Sequence, residues 1–311
     1  MTIFFRTFVL SAPLFATVAV GYIIARLPFW KTAWTRIGNK FVFAVALPAM
    51  LFRMMSDLSA LPPVDTRLLL AFFGGCFLVY ILGRLVGAFA FHLDGVSQSV
   101  FALGGIFSNN VLLGLPLAKL VLGDAALPSV ALVLVFNSLT LWTLVSVSVE
   151  WARHGSFTLK GFGKTALGVI TNPIVASIVG GTVFGHSGLR APTLVWSALG
   201  AIGKLAAPAA LIVLGMGLVE YGIGKGWQQS LAICAIKLLV QPLVVWAIAA
   251  ALALPHLETT VVVLLASMSV GANVYLMAVQ FNSLQAPVAG SLVLSTVLAA
   301  VTTPILLALL G

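Results

Sequence analysis

Asn109 and Asn110 stand side by side in an apolar run, GGIFSNNVLLGLPLAKL, and Asn273 stands in a second, SMSVGANVYLMAVQF. A side-chain amide is neither nucleophile nor proton carrier. It offers N–H donors, which suit a carboxylate that an Asp or Glu side chain would repel. Ser108, Gly104, Gly105, Gly114 and Pro116 surround the first pair, while Ser267, Ser269, Gly271, Ala272 and Tyr275 flank Asn273. Proline removes a backbone donor and glycine weakens a helix, so both runs are expected to break, with Gly114, Pro116 and Ala272 as the break residues. In a bilayer the freed N–H and C=O groups must face protein or a water-filled cavity. The N-terminus of each resumed half-helix carries about half a positive charge. An anion is the ligand such a site favours.

The elements that must position these residues are set by composition. The 311 residues are 61% apolar and 7% charged, with a mean hydropathy of +1.17. That excludes a water-soluble globular protein. At roughly 20 apolar residues per crossing, the chain divides into ten expected spans: 3–25, 37–55, 67–91, 99–122, 127–149, 165–185, 196–219, 227–253, 258–280 and 286–310. The first run lacks a small-residue cleavage site and reads as a retained helix. The fold class is an all-α polytopic membrane protein. Cys76 and Cys234 read as small buried hydrophobes, and the four histidines, His92, His154, His186 and His256, lack a ligand spacing, so no metal and no cofactor is expected. GFGKT at 161–165 is not a phosphate loop, because Thr158 stands where its first glycine is required. No nucleophile is paired with a base, so the chain is not read as an enzyme.

Charge orients the chain. Arg26, Lys31, Arg36, Lys40, Arg84, Arg153, Lys160, Lys164 and Lys225 fall on one side, and Arg6, Arg53, Arg67, Lys119, Arg190 and Lys204 on the other. The first set is placed in the cytoplasm, so both termini are expected to face outward. All seven acidic residues, Asp57, Asp65, Asp94, Asp124, Glu150, Glu220 and Glu258, lie at or near span ends. A sodium or proton exchanger commonly needs a carboxylate at mid-depth, so cation transport is disfavoured. Lys237 is the exception among the charges, about ten residues inside the eighth span, with Gln241 one turn on and Pro242 next. It neutralises a substrate carboxylate or changes protonation during transport, or else it snorkels or bonds carbonyls freed by Pro242; the residues leave these readings open. Asn109, Asn110 and Asn273 likewise have an alternative as interhelical hydrogen-bonding groups, and Asn137 reads best that way.

The chain also resembles itself. SAPLFATVAVG (11–21) aligns without gaps on TNPIVASIVGG (171–181), Pro48 and Ala49 fall on Pro208 and Ala209, Asn110 on Asn273 and Pro128 on Pro287. Two repeats, 1–155 and 156–311, are read. Five spans each is an odd number, so the second copy runs inverted through the membrane, a symmetry suited to alternating access. Gly83 with Gly87 and Gly181 with Gly185 are small-residue pairs that let helices approach closely, within the chain or across a homodimer.

ALPAMLF in the second span, SNNVLLGLPLAKL in the fourth, KLLVQPL in the eighth and GANVYLMAVQF in the ninth resemble the auxin efflux carrier family of bacterial and plant transporters. The resemblance runs nearly end to end. It implies a PIN-like fold, shared with bile acid symporters and sodium/proton antiporters, in which the broken fourth and ninth helices cross. It further implies a scaffold domain from helices at 3–55 and 165–219 and a transport domain from those at 67–149 and 227–310. Plant members commonly carry a proline at both breaks, whereas here Pro116 follows the first and the second has Gly271 and Ala272. Bacterial members are often described as malonate or malate permeases. The expectation is therefore a secondary carrier of a small organic anion, a dicarboxylate or an auxin-like acid, moving by an elevator-type displacement. A proton or sodium ion would be the coupling partner. Ser108, Asn109, Asn110, Gly271, Asn273, Tyr275 and Lys237 are the expected substrate contacts. A channel, a substrate-sensing receptor or a sodium/proton exchanger on the same fold is the alternative.

Overall fold

The structure is a computed structural model that describes residues 2–56, 65–154, 173–189, 191–221 and 226–310. GFGKT, Asp57, Lys160, Lys164, Arg190, Lys225 and the start of the sixth expected span lie outside the described residues.

Fourteen α-helices account for most of the described residues: α1 (Thr2–Ala25), α2 (Thr32–Phe41), α3 (Leu47–Ser56), α4 (Arg67–Phe89), α5 (Gly95–Gly104), α6 (Leu115–Leu122), α7 (Leu127–His154), α8 (Pro173–His186), α9 (Thr193–Tyr221), α10 (Trp227–Ala235), α11 (Gln241–Ala251), α12 (His256–Ala266), α13 (Ala272–Gln280) and α14 (Gln285–Leu310). Three of the junctions are wide π turns, at Val42–Ala46, Asn110–Gly114 and Ile236–Val240. Each ends two residues before a proline: Pro48, Pro116 and Pro242. The cause is local. A proline ring clashes with the carbonyl four residues back and supplies no N–H. The residue before it donates one step further instead, Leu47 to Val42 O, Leu115 to Asn110 O and Gln241 to Ile236 O. The helix absorbs the proline as a wide turn and does not end there.

The chain is a multi-pass membrane protein in composition and helix length. Five described helices or helix runs are long and apolar enough to cross: Thr32–Arg53, Arg67–Phe89, Thr193–Val219, Trp227–Ala251 and Gln285–Leu309. The fourth and ninth expected spans do not qualify as single rods, because each is cut in two; α5, α6, α12 and α13 run for only eight to eleven residues.

Two compact units emerge, each drawn from separate stretches of sequence. One comprises Met1–Ala12, Asp65–Thr165 and Tyr221–Gly311, the other Pro13–Val64 and Ala166–Glu220. In the second unit α3 packs on α8 through Gly181 and Gly185, where an added Cβ would lie 2.5 Å from Phe52 O and 2.8 Å from Ser56 O. Phe52, Phe184 and Trp196 form a ring cluster beside this contact, with the Arg53 guanidinium 5.7 Å from the Trp196 centroid. Lys204 is exposed.

In the first unit α4 packs on α5 and α11, α5 on α7, α10 on α14, and α11 on α12. At Gly83 a Cβ would sit 2.9 Å from Ala102 Cα, so this glycine sets the α4–α5 approach. Both small-residue pairs are thus used inside the chain. Asp94 starts α5: its carboxylate accepts from Val96 N at 2.9 Å and Ser97 N at 3.1 Å, and Ser97 Oγ in turn lies 2.8 Å from Ser283 Oγ in the turn before α14. The Ser97 hydroxyl first, then the backbone N–H groups, hold the Asp94 carboxyl below its ordinary pKa. A depressed carboxyl stabilises the fold above the unfolded value and loses that contribution as pH falls through the folded one. Asp94→Ala should therefore cost about 1 kcal/mol near neutral pH, as other N-cap losses do, and the difference from the parent should shrink below about pH 4. Thermal unfolding in detergent across that range measures it.

Candidate functional site

Both polar runs are interrupted, and the interruptions lie against each other. The first helix ends at Gly104, and Gly105 donates back to Ala102 O. Backbone at 107–109 then runs out of helical register, and helix resumes at Asn110. The second stops at Ala266 and resumes at Ala272. Ser108 and Val270 pair as an isolated antiparallel bridge. Asn109 N donates to Ser269 O and Gly271 N to Phe107 O, both at 2.8 Å. Each interruption thereby satisfies part of the other's backbone, as a pair of strands would.

The turn into the resumed helix is tight. Asn110 N donates to Ser108 O at 2.8 Å across Asn109, whose φ of −76° and ψ of 59° are those of an inverse γ-turn. Asn109 O then accepts from Leu113 N and Gly114 N. The break falls earlier than Gly114 and Pro116 suggest in sequence. Those two lie within the resumed helix, because the π turn at Asn110–Gly114 accommodates Pro116.

The second break forms without a proline because α14 holds it. Ser295 Oγ accepts from Val270 N at 2.9 Å, and Thr303 Oγ1 donates to Ser267 O at 3.2 Å. Ser267 Oγ bonds Leu264 O at 2.8 Å. Gly271 gives this break its closeness: a Cβ there would lie 3.0 Å from Phe107 Cδ1 and 3.1 Å from Ser108 O. With its N–H committed to Phe107 and its bare Cα against Ser108, Gly271 is a spacer in the bridge. Ala272 opens α13 and follows the break.

One helix run grips both interruptions. Lys237, in the π turn between α10 and α11, is fully buried and donates from Nζ to Ala266 O at the carbonyl end of α12. Gln241, also fully buried, donates from Nε2 to Ile106 O at 2.9 Å, in the first interruption, and to Cys76 Sγ at 3.3 Å. Ile233 and Ile236 on the same run press against Gly104 and Gly105, where a Cβ would lie 2.8 and 2.7 Å away. Among the sequence readings of Lys237 was a bond to a freed carbonyl, and Lys237 does bond a helix-end carbonyl. The carbonyl belongs to the ninth expected span, not to the neighbourhood of Pro242.

What remains at the paired interruptions is a set of buried polar atoms without protein partners. They are Ser108 Oγ, Asn109 Nδ2, Asn110 Nδ2 and Oδ1, and Ser269 Oγ. Asn110 is 1% exposed. Leaving such a group unmet costs about 1–3 kcal/mol, so several in one place are a large deficit for structure alone to tolerate. Asn273 and Tyr275 sit half-buried in the first turn of α13. Asn137 is buried in α7 with its Oδ1 unmatched. Among the described residues no cluster of three metal-ligating side chains occurs.

A family model described as membrane transport protein matches residues 7–307. The chain belongs to that family, the auxin efflux carriers. This membrane transport protein is also 25% identical, over 97% of its length and 95% of the relative's, to a Rhizobium meliloti (strain 1021) protein named "Putative malonate transporter". Ser108, Asn109 and Asn110 of the transporter come together with Ser269 and Gly271, and Lys237 stands behind them on a carbonyl. Sequence reasoning named Ser269 only as a polar neighbour of Asn273, and missed Ser295 and Thr303 as working parts. The signal for Ser295 and Thr303 was a run of hydroxyl residues on α14, the helix that holds the second break.

Proposed function

We propose that this protein is a secondary carrier of a small organic anion, a dicarboxylate such as malonate or malate, or an auxin-like acid. One observation carries the reading. Buried Asn109, Asn110, Ser108 and Ser269 leave hydrogen-bonding atoms unmet where two interrupted helices pair. Amide and hydroxyl donors beside half-helix N-termini are the elements that bind a carboxylate in transporters with discontinuous helices. Asn110 and Asn109 donate to the carboxylate, Ser108 and Ser269 complete its shell, and Asn273 and Tyr275 face it from α13. Lys237 adds a positive charge nearby.

The fold is read as two inverted five-helix repeats, and the unit that holds both interruptions as the transport domain of an elevator. The other unit then serves as scaffold. Both termini face the outside of a bacterial inner membrane, following the cationic connectors. The printed name of the relative makes malonate the first probe.

Purified protein in proteoliposomes should take up radiolabelled malonate with saturation, and unlabelled malonate preloaded inside should accelerate the uptake. Flux that rises without saturation, with no acceleration by internal malonate, would replace the carrier by a channel.

A further inference from the structure

We infer that the Lys237 ammonium is a tethered cation that stands at the helix break in place of a bound sodium ion. The carbonyl end of α12 is held by side chains. Three carbonyls in its last turn and cap take side-chain donors: Leu264 O from Ser267, Ser267 O from Thr303, and Ala266 O from Lys237. In transporters with discontinuous helices, unwound carbonyls and half-helix C-termini of this kind are where a coupling cation is coordinated. Such an end carries about half a negative charge, which a cation offsets. Here a covalently attached cation already makes the contact.

Two further observations bear on this. Lys237 is fully buried, a position where an ammonium without a compensating charge is costly. The acidic residues of the described elements lie at other places in the chain: Asp65 before α4, Asp94 at the start of α5, Asp124 before α7, Glu150 and Glu220 near the C-terminal ends of α7 and α9, and Glu258 in the first turn of α12, at its opposite end. No described salt bridge involves Lys237; the described ones join Arg67 to Asp65 and Lys119 to Asp124. Among the described side chains, a protonated Lys237 has no carboxylate beside it, so its charge is left for a mobile anion and the helix-end carbonyls to balance. A carrier built this way loads its anion without co-bound sodium, and loses that independence when the tether is cut.

The uptake arm of the test rests on the anion-carrier reading, whereas the stability arm does not. Parent protein should take up malonate equally, within about twofold, in sodium chloride and choline chloride at one ionic strength. Lys237→Ala opens room for a free cation. Its uptake should fall about tenfold or more in choline and recover in sodium or methylammonium chloride. Lys237→Met removes the charge but fills the space, so it should not recover. Without malonate, sodium or methylammonium should raise the melting temperature of Lys237→Ala over choline, by the linkage of binding to folding, and leave the parent unchanged. Sodium-dependent uptake by the parent overturns the inference. So does a folded Lys237→Ala protein whose uptake and melting temperature ignore the cation. Should the parent not transport malonate at all, the carrier reading fails and the melting data still decide the role of Lys237.

Discussion

Replacing Asn110 with Leu is expected to lower malonate uptake by roughly ten- to a hundredfold while leaving the protein as stable or more so. The two halves of that result have one cause. Asn110 is 1% exposed and neither polar atom of its amide has a protein partner. In the unloaded protein the amide is a net cost, and an apolar side chain of similar volume removes an unmet group of about 1–3 kcal/mol. Loaded, the same amide donates to a charged acceptor, and losing one such bond costs about 1.5–3 kcal/mol. Function and stability therefore move in opposite directions, as they do where a site is held at the expense of the fold. If Asn110 were interhelical glue, both would fall together. Uptake into proteoliposomes and thermal unfolding of the same preparations separate the two outcomes. Asn110→Asp should lose uptake as well, since it places a negative charge against the substrate's own.

Gly271→Ala should damage both properties. The residue has an ordinary φ of −77°, so strain in its own backbone plays no part. The obstacle is the neighbouring chain: the new methyl would meet Phe107 Cδ1 at 3.0 Å and Ser108 O at 3.1 Å. Ser108 O belongs to the bridge and accepts from Asn110 N, so it cannot retreat without loosening the γ-turn that presents Asn109 and Asn110. Overpacking of this kind costs about 1–3 kcal/mol. It would also separate Gly271 N from Phe107 O and Asn109 N from Ser269 O. Uptake should drop about tenfold or more, with a lower melting temperature. The contrast with Asn110→Leu, which loses uptake at no cost in stability, distinguishes a residue that holds the site from one that binds in it.

Much of this was legible in the chain. Adjacent asparagines among glycines in one apolar run, and an asparagine after a glycine in another, marked two places where a membrane helix would break, and both breaks are present. Their boundaries were less legible. Pro116 looked like the breaker, yet a π turn absorbs it, as π turns absorb Pro48 and Pro242. The first interruption lies upstream, where Gly105 meets Ile236 and the chain leaves the helix to pair with Val270. A single sequence cannot reveal that partnership, because the two segments are far apart along the chain and nothing local records their register.

The supporting contacts were hidden for the same reason. Ser295 and Thr303 look like ordinary hydroxyl residues of an apolar helix, and only the fold puts them against Val270 N and Ser267 O. Lys237 was visible as a cation out of place. Its acceptor, Ala266 O, was not, since any residue type supplies a carbonyl and only a broken helix leaves one free.

The most direct measurement is a density map of the purified protein saturated with malonate. The account predicts a carboxylate within hydrogen-bonding distance of the Asn110 and Asn109 amides, at the bridge between Ser108 and Val270, with Lys237 still on Ala266 O. Malonate bound away from both interruptions, or unbroken helices running through Asn110 and Asn273, would contradict it.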